Sequence, residues 1–175
     1  MAYTFINAMG GKTGKSIVEK DKLILAKTIM RKAKESGIKL LLPTDSVNAD
    51  NFSNNANINN SDILNIDSSY MGLDIGDKSI LIFSKVIENS KTIIWNGPMG
   101  VFEMSNFEKG TKMICEAVCR STSNGAFSLI GGGDSVSAIK KFKLSDKVSY
   151  ISTGGGALLE YLEGKELPGI AAILK

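Results

Sequence analysis

Histidine is missing from this 175-residue chain. Its absence removes Ser-His-Asp and Cys-His nucleophilic catalysis, along with any reaction that uses imidazole as its acid or base. Cysteine is scarce. Cys115 and Cys119 stand four apart on a predicted helix, too few for a disulfide framework and, with no histidine, too few for a zinc site. Buried, reduced thiols in a cytoplasmic protein are what this usage predicts. No apolar run reaches the ~20 residues of a membrane span, and Met1-Ala2-Tyr3-Thr4-Phe5-Ile6-Asn7 lacks the basic start of a signal peptide. The net charge is only +3, with no Lys/Arg stripe interleaved with aromatics, so neither nucleic acid nor membrane is an expected partner. What remains is an ordinary soluble composition, 43% hydrophobic and 22% charged, enough to give one globular domain a core.

Glycine, by contrast, is abundant and concentrated. The stretch around which the chain is organised is Gly131-Gly132-Gly133-Asp134-Ser135, between the apolar run Ala126–Ile130 and the helix-like Val136–Lys140. A strand, a glycine run, an acid and a hydroxyl at a helix start together describe an anion site. Glycine lets bare backbone N–H groups approach a phosphate, and the helix N-terminus adds roughly half a unit of positive charge. Asp134 is then placed to hold the magnesium that accompanies such phosphates, because hard cations choose oxygen ligands.

Along the chain, Met9-Gly10-Gly11-Lys12-Thr13-Gly14-Lys15-Ser16 comes close to a phosphate-binding P-loop, but Met9 stands where that pattern needs glycine. A flexible Gly/Lys connection is expected there instead. Residues 19–36 carry a helical apolar face (Leu23, Ala26, Ile29, Met30, Ala33) that Gly37 ends, and Ile38–Leu42 before Pro43 predicts a short buried strand. Residues 48–65 are rich in asparagine and predict loop with short strands near 57–58 and 63–66. Phe52 is an aromatic there without periodic partners. Met71–Gly76 predicts a glycine-bearing loop before a helix capped by Asp77 or Ser79, with Ile80, Phe83, Val86 and Ile87 inward.

Three βα units follow. Thr92–Trp95 leads into Asn96-Gly97-Pro98-Met99-Gly100-Val101-Phe102-Glu103 and a helix over about 105–120. Ala126–Ile130 leads into the glycine triplet, and Val148–Ser152 into Thr153-Gly154-Gly155-Gly156 and a last helix. Short apolar strands without clean alternation predict a parallel sheet buried on both faces. Right-handed crossovers bring the three glycine loops to one edge, beyond the carboxyl ends of the strands where ligands of such sheets bind. A phosphate or nucleotide site is the expectation.

These segments resemble the nucleotide-binding C-terminal lobe of phosphoglycerate kinase. The match rests on Trp95–Glu103, Gly131–Ser135 and Ser152–Ala157, and more weakly on Met1–Phe5, Met71–Asp74 and Leu167–Ile170, in the family's order and spacing. The resemblance implies an α/β fold, three-layer αβα with a mostly parallel Rossmann-like sheet, truncated at its N-terminal side. It implies an adenine slot of Ile17, Phe52, Met71, Gly72, Leu73 and Val101. Glu103 would take the ribose hydroxyls, Asn96 and Pro98 would lie along ribose and phosphates, and Asp134 would bind Mg2+. Gly132, Gly133, Gly154, Gly155 and Ser135 would face the transferring phosphoryl group, with Gly132, Ser135 and Gly155 as its catalytic contacts. Where family members often carry threonine, Ser135 keeps the hydroxyl that donates to a phosphate oxygen.

The implied reaction is reversible transfer between 1,3-bisphosphoglycerate and ADP, giving 3-phosphoglycerate and ATP. This chemistry needs in-line positioning and balanced charge rather than covalent help. The family's N-terminal lobe, with its basic phosphoglycerate patch, has no counterpart here, nor do the first strands of the C-terminal lobe. The sequence therefore reads as an incomplete lobe of a monomeric, cytoplasmic, two-lobed kinase, binding ADP or ATP but inactive alone. A stand-alone nucleotide-binding module without catalysis is the alternative.

Overall fold

In the computed structural model, which describes residues 1–152 and 154–173, the alternation of helix and strand is realised in two units of chain. One comprises Met1–Lys85 with Met99–Ile114, the other Val86–Pro98 with Cys115–Lys175. The α/β class with parallel strands is as expected, the described strands falling into three sheets.

The first unit opens on helix α1 (Ala2–Ala8) and the two-residue strand β1 (Lys12–Thr13). Helix α2 (Leu23–Glu35) follows the 3-10 turn Lys20–Lys22, as the apolar spacing predicts, but it buries only Ala26 and leaves Ile24 and Leu25 exposed. Strands β2 (Asp45–Ala49), β3 (Ile58–Asp62), β4 (Asn65–Ile66) and β5 (Met71–Ile75) come next, then helix α3 (Asp77–Glu88). Strand β1 pairs with β4 in parallel, whereas β3, β2 and β5 form an antiparallel sheet in that order. Ile6, Ile63 and Ile66 form one core cluster, and Ala49, Leu73 and Phe107 another.

Three local expectations fail here, each for a physical reason. Ile38–Leu42 is not a strand: among the described residues it has no ladder partner, and Ile38, Leu40 and Leu41 lie exposed. An apolar run becomes a strand only where another strand satisfies its backbone. Conversely, the asparagine-rich 58–62 is a full strand, because the buried Asn48 amide donates across the ladder to Asn59 Oδ1 (3.2 Å) and Ser61 Oγ (2.9 Å). Met71–Ile75 is an interior strand rather than a loop. Its glycine marks a close approach, since a Cβ on Gly72 would run into the Tyr3 hydroxyl and lie 2.6 Å from Ser46 Oγ.

The cap of α3 is also not local. Asp45, at the start of β2, accepts from the backbone N–H groups of Lys78 (3.0 Å) and Ser79 (2.8 Å) and from the Ser79 hydroxyl (2.5 Å). A carboxylate from a neighbouring strand thus takes the place expected for Asp77 or Ser79.

The second unit carries strands β6 (Thr92–Asn96), β7 (Phe127–Gly131) and β8 (Tyr150–Ile151), parallel and adjacent in that order. Helix α4 (Lys109–Ser123), which belongs to this unit from Cys115 on, precedes β7, and α5 (Gly133–Lys141) follows it. Helices α6 (Gly155–Leu162) and α7 (Pro168–Ile173) follow β8. Register places Ile93, Trp95, Ser128 and Ile130 on a buried face, while Ile94, Phe127 and Tyr150 share an exposed one. The expectation of cover on both faces is met on one. No helix among the described residues is long and apolar enough to cross a membrane.

Candidate functional site

A cavity of about 400 Å³ opens in the first unit, and it contains all six residues assigned to adenine by resemblance. Met71, Gly72 and Leu73 come from β5, and Val101 from the segment after Gly100. Ile17 and Phe52 come from the loops after β1 and β2. Ile17 is 86% exposed and Phe52 63%, which removes any role for them in the core and leaves two large apolar side chains as open cavity walls. Flat, apolar surfaces of this kind suit an aromatic ring. Met1, Tyr3, Thr4, Lys15, Ser16 and Glu19 complete the lining.

Lys15 and Ser16 come from the stretch that only approximates a P-loop. No strand feeds that stretch: it follows α1, and the next helical turn begins at Lys20. The Ser16 hydroxyl accepts from the Gly72 N–H at 2.9 Å, and the Lys15 N–H donates to the Tyr70 carbonyl at 2.7 Å. The stretch therefore builds part of the rim of the cavity.

Next in the chain to the cavity residue Leu73 stands a group that sequence reasoning did not single out. Asp74, on β5 next to Leu73, is 2% exposed. Its Oδ2 accepts from the Gly110 N–H in the first turn of α4 (2.7 Å), and its Oδ1 from the Ile75 N–H (2.8 Å). Burial pushes this carboxyl up to about 7 against the pull of those two donors and of Lys109. Thr111, buried one residue further along α4, accepts from the N–H groups of Met99 and Gly100, both at 3.1 Å. Val101 then donates its N–H to the Leu73 carbonyl at 2.8 Å. An acid set among the apolar residues of Met71–Ile75 was the available signal.

Glu103 is exposed two residues beyond Val101 and is not part of the cavity wall.

In the second unit the glycine loops gather at one edge of the β6–β7–β8 sheet. Asn96 and Gly131 are register partners at the carboxyl ends of β6 and β7, so Gly97 and Gly132 leave the sheet side by side. Gly155 begins α6 four residues after β8 ends. Thr153, part of the same motif, lies outside the described residues. Gly132 has φ of +82°, and a Cβ there would stand 2.5 Å from Asn96 Oδ1. Gly133 and Asp134 are exposed in the first turn of α5. Ser135 is buried, and its hydroxyl accepts from the Gly97 N–H at 2.6 Å, tying the β6 loop to the helix start. Pro98 is half-buried beside Gly97.

No group of three or more His, Cys, Asp or Glu side chains that could hold a metal occurs among the described residues. Both cysteines are free and buried; burial pushes Cys115 up to about 12 and also raises Cys119, consistent with inert thiols.

Comparison with known proteins bears on the same residues. The phosphoglycerate kinase family profile matches residues 1–165. A phosphoglycerate kinase of Porphyromonas gingivalis is 58% identical over 173 residues, covering 99% of this chain and 41% of that protein. One of Chloroherpeton thalassium is 55% identical, with 99% and 44% covered. The structure of phosphoglycerate kinase from Coxiella burnetii superposes with a TM-score of 0.92 at 42% identity, covering 97% of this chain and 43% of that one. That from Pyrococcus horikoshii gives 0.82 at 29% identity, covering 99% and 43%. The chain spans less than half the length of these relatives. With the matched profile running through the cavity, the β6 loop and the glycine triplet alike, the chain belongs to the phosphoglycerate kinase family.

Proposed function

We propose that this chain is the nucleotide-binding, C-terminal lobe of a two-lobed kinase, incomplete at its N-terminal side. Its parent protein would be a cytoplasmic, monomeric enzyme of glycolysis that moves a phosphoryl group between 1,3-bisphosphoglycerate and ADP. The observation that carries this reading is the cavity: six residues matched to the family's adenine slot come from four separate stretches of chain, yet line one hollow. Ile17, Phe52, Met71, Leu73 and Val101 would sandwich the base, and Glu103 would accept from the ribose hydroxyls.

Asn96, Pro98 and the bare N–H groups of Gly132 and Gly133 would receive the nucleotide phosphates at the start of α5. Ser135 and Gly155 would face the group in transfer. Amides fixed at a helix N-terminus stabilise charge on the equatorial phosphate oxygens without reorganising. Asp134 fits a magnesium that arrives with the nucleotide: one exposed hard-oxygen ligand suffices where phosphates and waters complete the shell. Bound there, the ion would neutralise phosphate charge. Phosphoglycerate needs groups from the other lobe, so the chain alone is proposed to lack turnover.

Titration calorimetry with ADP, with and without Mg2+, tests this reading. Wild-type protein is expected to bind ADP more tightly with Mg2+, and Asp134→Asn to lose that gain, about tenfold for one charge-assisted contact. An Mg2+ gain that survives Asp134→Asn unchanged would defeat it.

A further inference from the structure

We propose that Asp74 is a positioning residue, a buried carboxylate that sets the height of Val101 over the cavity by holding the first turn of α4. This rests on reading that cavity as the adenine site. The connection is a chain of short contacts within one unit. Asp74 Oδ2 takes the Gly110 N–H at 2.7 Å, fixing the start of α4. The next residue, Thr111, takes the N–H groups of Met99 and Gly100 on its hydroxyl. Val101 follows directly and returns its N–H to Leu73, the neighbour of Asp74 on β5.

Two glycines confirm how tightly the carboxylate is enclosed. A Cβ at Gly100 or at Gly110 would run into the Asp74 side chain. No larger residue fits at either position while the carboxylate stays where it is, and a smaller or displaced acid would leave Gly110 N–H buried without a partner.

The charged and titratable groups around Asp74 come from each element packed against it. Lys109 on α4 lowers its pKa and is itself paired with Asp77 of α3 at 2.6 Å. Tyr3 on α1 is raised first by burial and further by the Asp74 charge, against the lowering effect of Ser46. Ser46 on β2 donates to the Asp74 carbonyl at 3.3 Å, which leaves Tyr3 as the donor to Ser46 at 3.0 Å. None of these replaces the carboxylate as acceptor for Gly110.

The carboxylate accepts hydrogen bonds better than the protonated acid does. The clamp therefore tightens as pH rises through about 7, where burial has moved this group. The same burial makes the charged form costly to the fold, since a carboxyl raised in the folded state loses stability between its ordinary pKa and its raised one. Adenosine affinity and fold stability are consequently expected to move in opposite directions over this range. A residue with a purely structural role would move them together.

The test titrates the 175-residue chain with adenosine, which carries no group that ionises near neutrality, following amide shifts from pH 5.5 to 8.5. The wild type is expected to bind about tenfold more tightly at the upper end, on the scale of one charged hydrogen bond, and its thermal midpoint to fall. Asp74→Asn is expected to show weak, pH-independent affinity and faster amide exchange at Gly100, Val101 and Gly110. Adenosine affinity that is flat with pH in the wild type, with exchange at these amides unaltered in Asp74→Asn, overturns the proposal. Should adenosine not bind at all, the adenine reading fails, while exchange at the three amides still decides whether the clamp exists.

Discussion

Gly72 shows how a single residue shapes the cavity. It lets β5 run beneath the Tyr3 ring, and the Ser16 hydroxyl takes its N–H. Gly72→Ala forces a methyl into the space of the Tyr3 and Ser46 hydroxyls. The expected outcome is a loss of about 1–3 kcal/mol in a urea melt, the usual cost of overpacking. This residue was legible as a member of a glycine-bearing motif but not as part of a strand, because glycine in a sequence signals a turn more often than a close approach. Asp74 illustrates the opposite case. An acid within an apolar strand is visible in the sequence, but its partners at 99–111 lie beyond any local periodicity.

At the level of elements, capping across the chain decides where helices begin. Burial raises the Asp45 carboxyl, but bonds from the Ser79 hydroxyl and from the Ser79 and Lys78 N–H groups, with the Lys78 charge, outweigh it and hold the group below its ordinary 3.8. A carboxyl depressed in the folded state stabilises the fold at pH values above its ordinary pKa, and that contribution disappears as pH falls through 4 and below. Asp45→Ala is expected to lower stability by about 1–2 kcal/mol at pH 7, the size of a lost helix cap, and to make the variant less acid-sensitive than the wild type in parallel denaturation curves.

The βα units at 92–162 were readable because glycine loops, short apolar strands and helix starts repeat in a fixed order. Ile38–Leu42 misled because apolar content alone does not supply a ladder partner, and β3 was hidden because its cross-strand side-chain contacts run from Asn48 to Asn59 and Ser61 rather than between apolar residues.

For the molecule as a whole, family membership follows from a match running nearly end to end, over a chain that spans less than half the length of its relatives. The glycine motifs could be placed in advance because parallel topology alone sends successive loops to one sheet edge. The adenine cavity could not be derived that way. Its walls come from loops with no periodic signal, and only resemblance assembled them. The most direct measurement is an amide-shift map of the chain titrated with Mg-ADP. The account predicts shifts concentrated at Ile17, Phe52, Leu73 and Val101 in one unit and at Gly97 and Gly132–Ser135 in the other. Shifts confined to Gly10–Lys15, or spread without regard to these two groups, would contradict it.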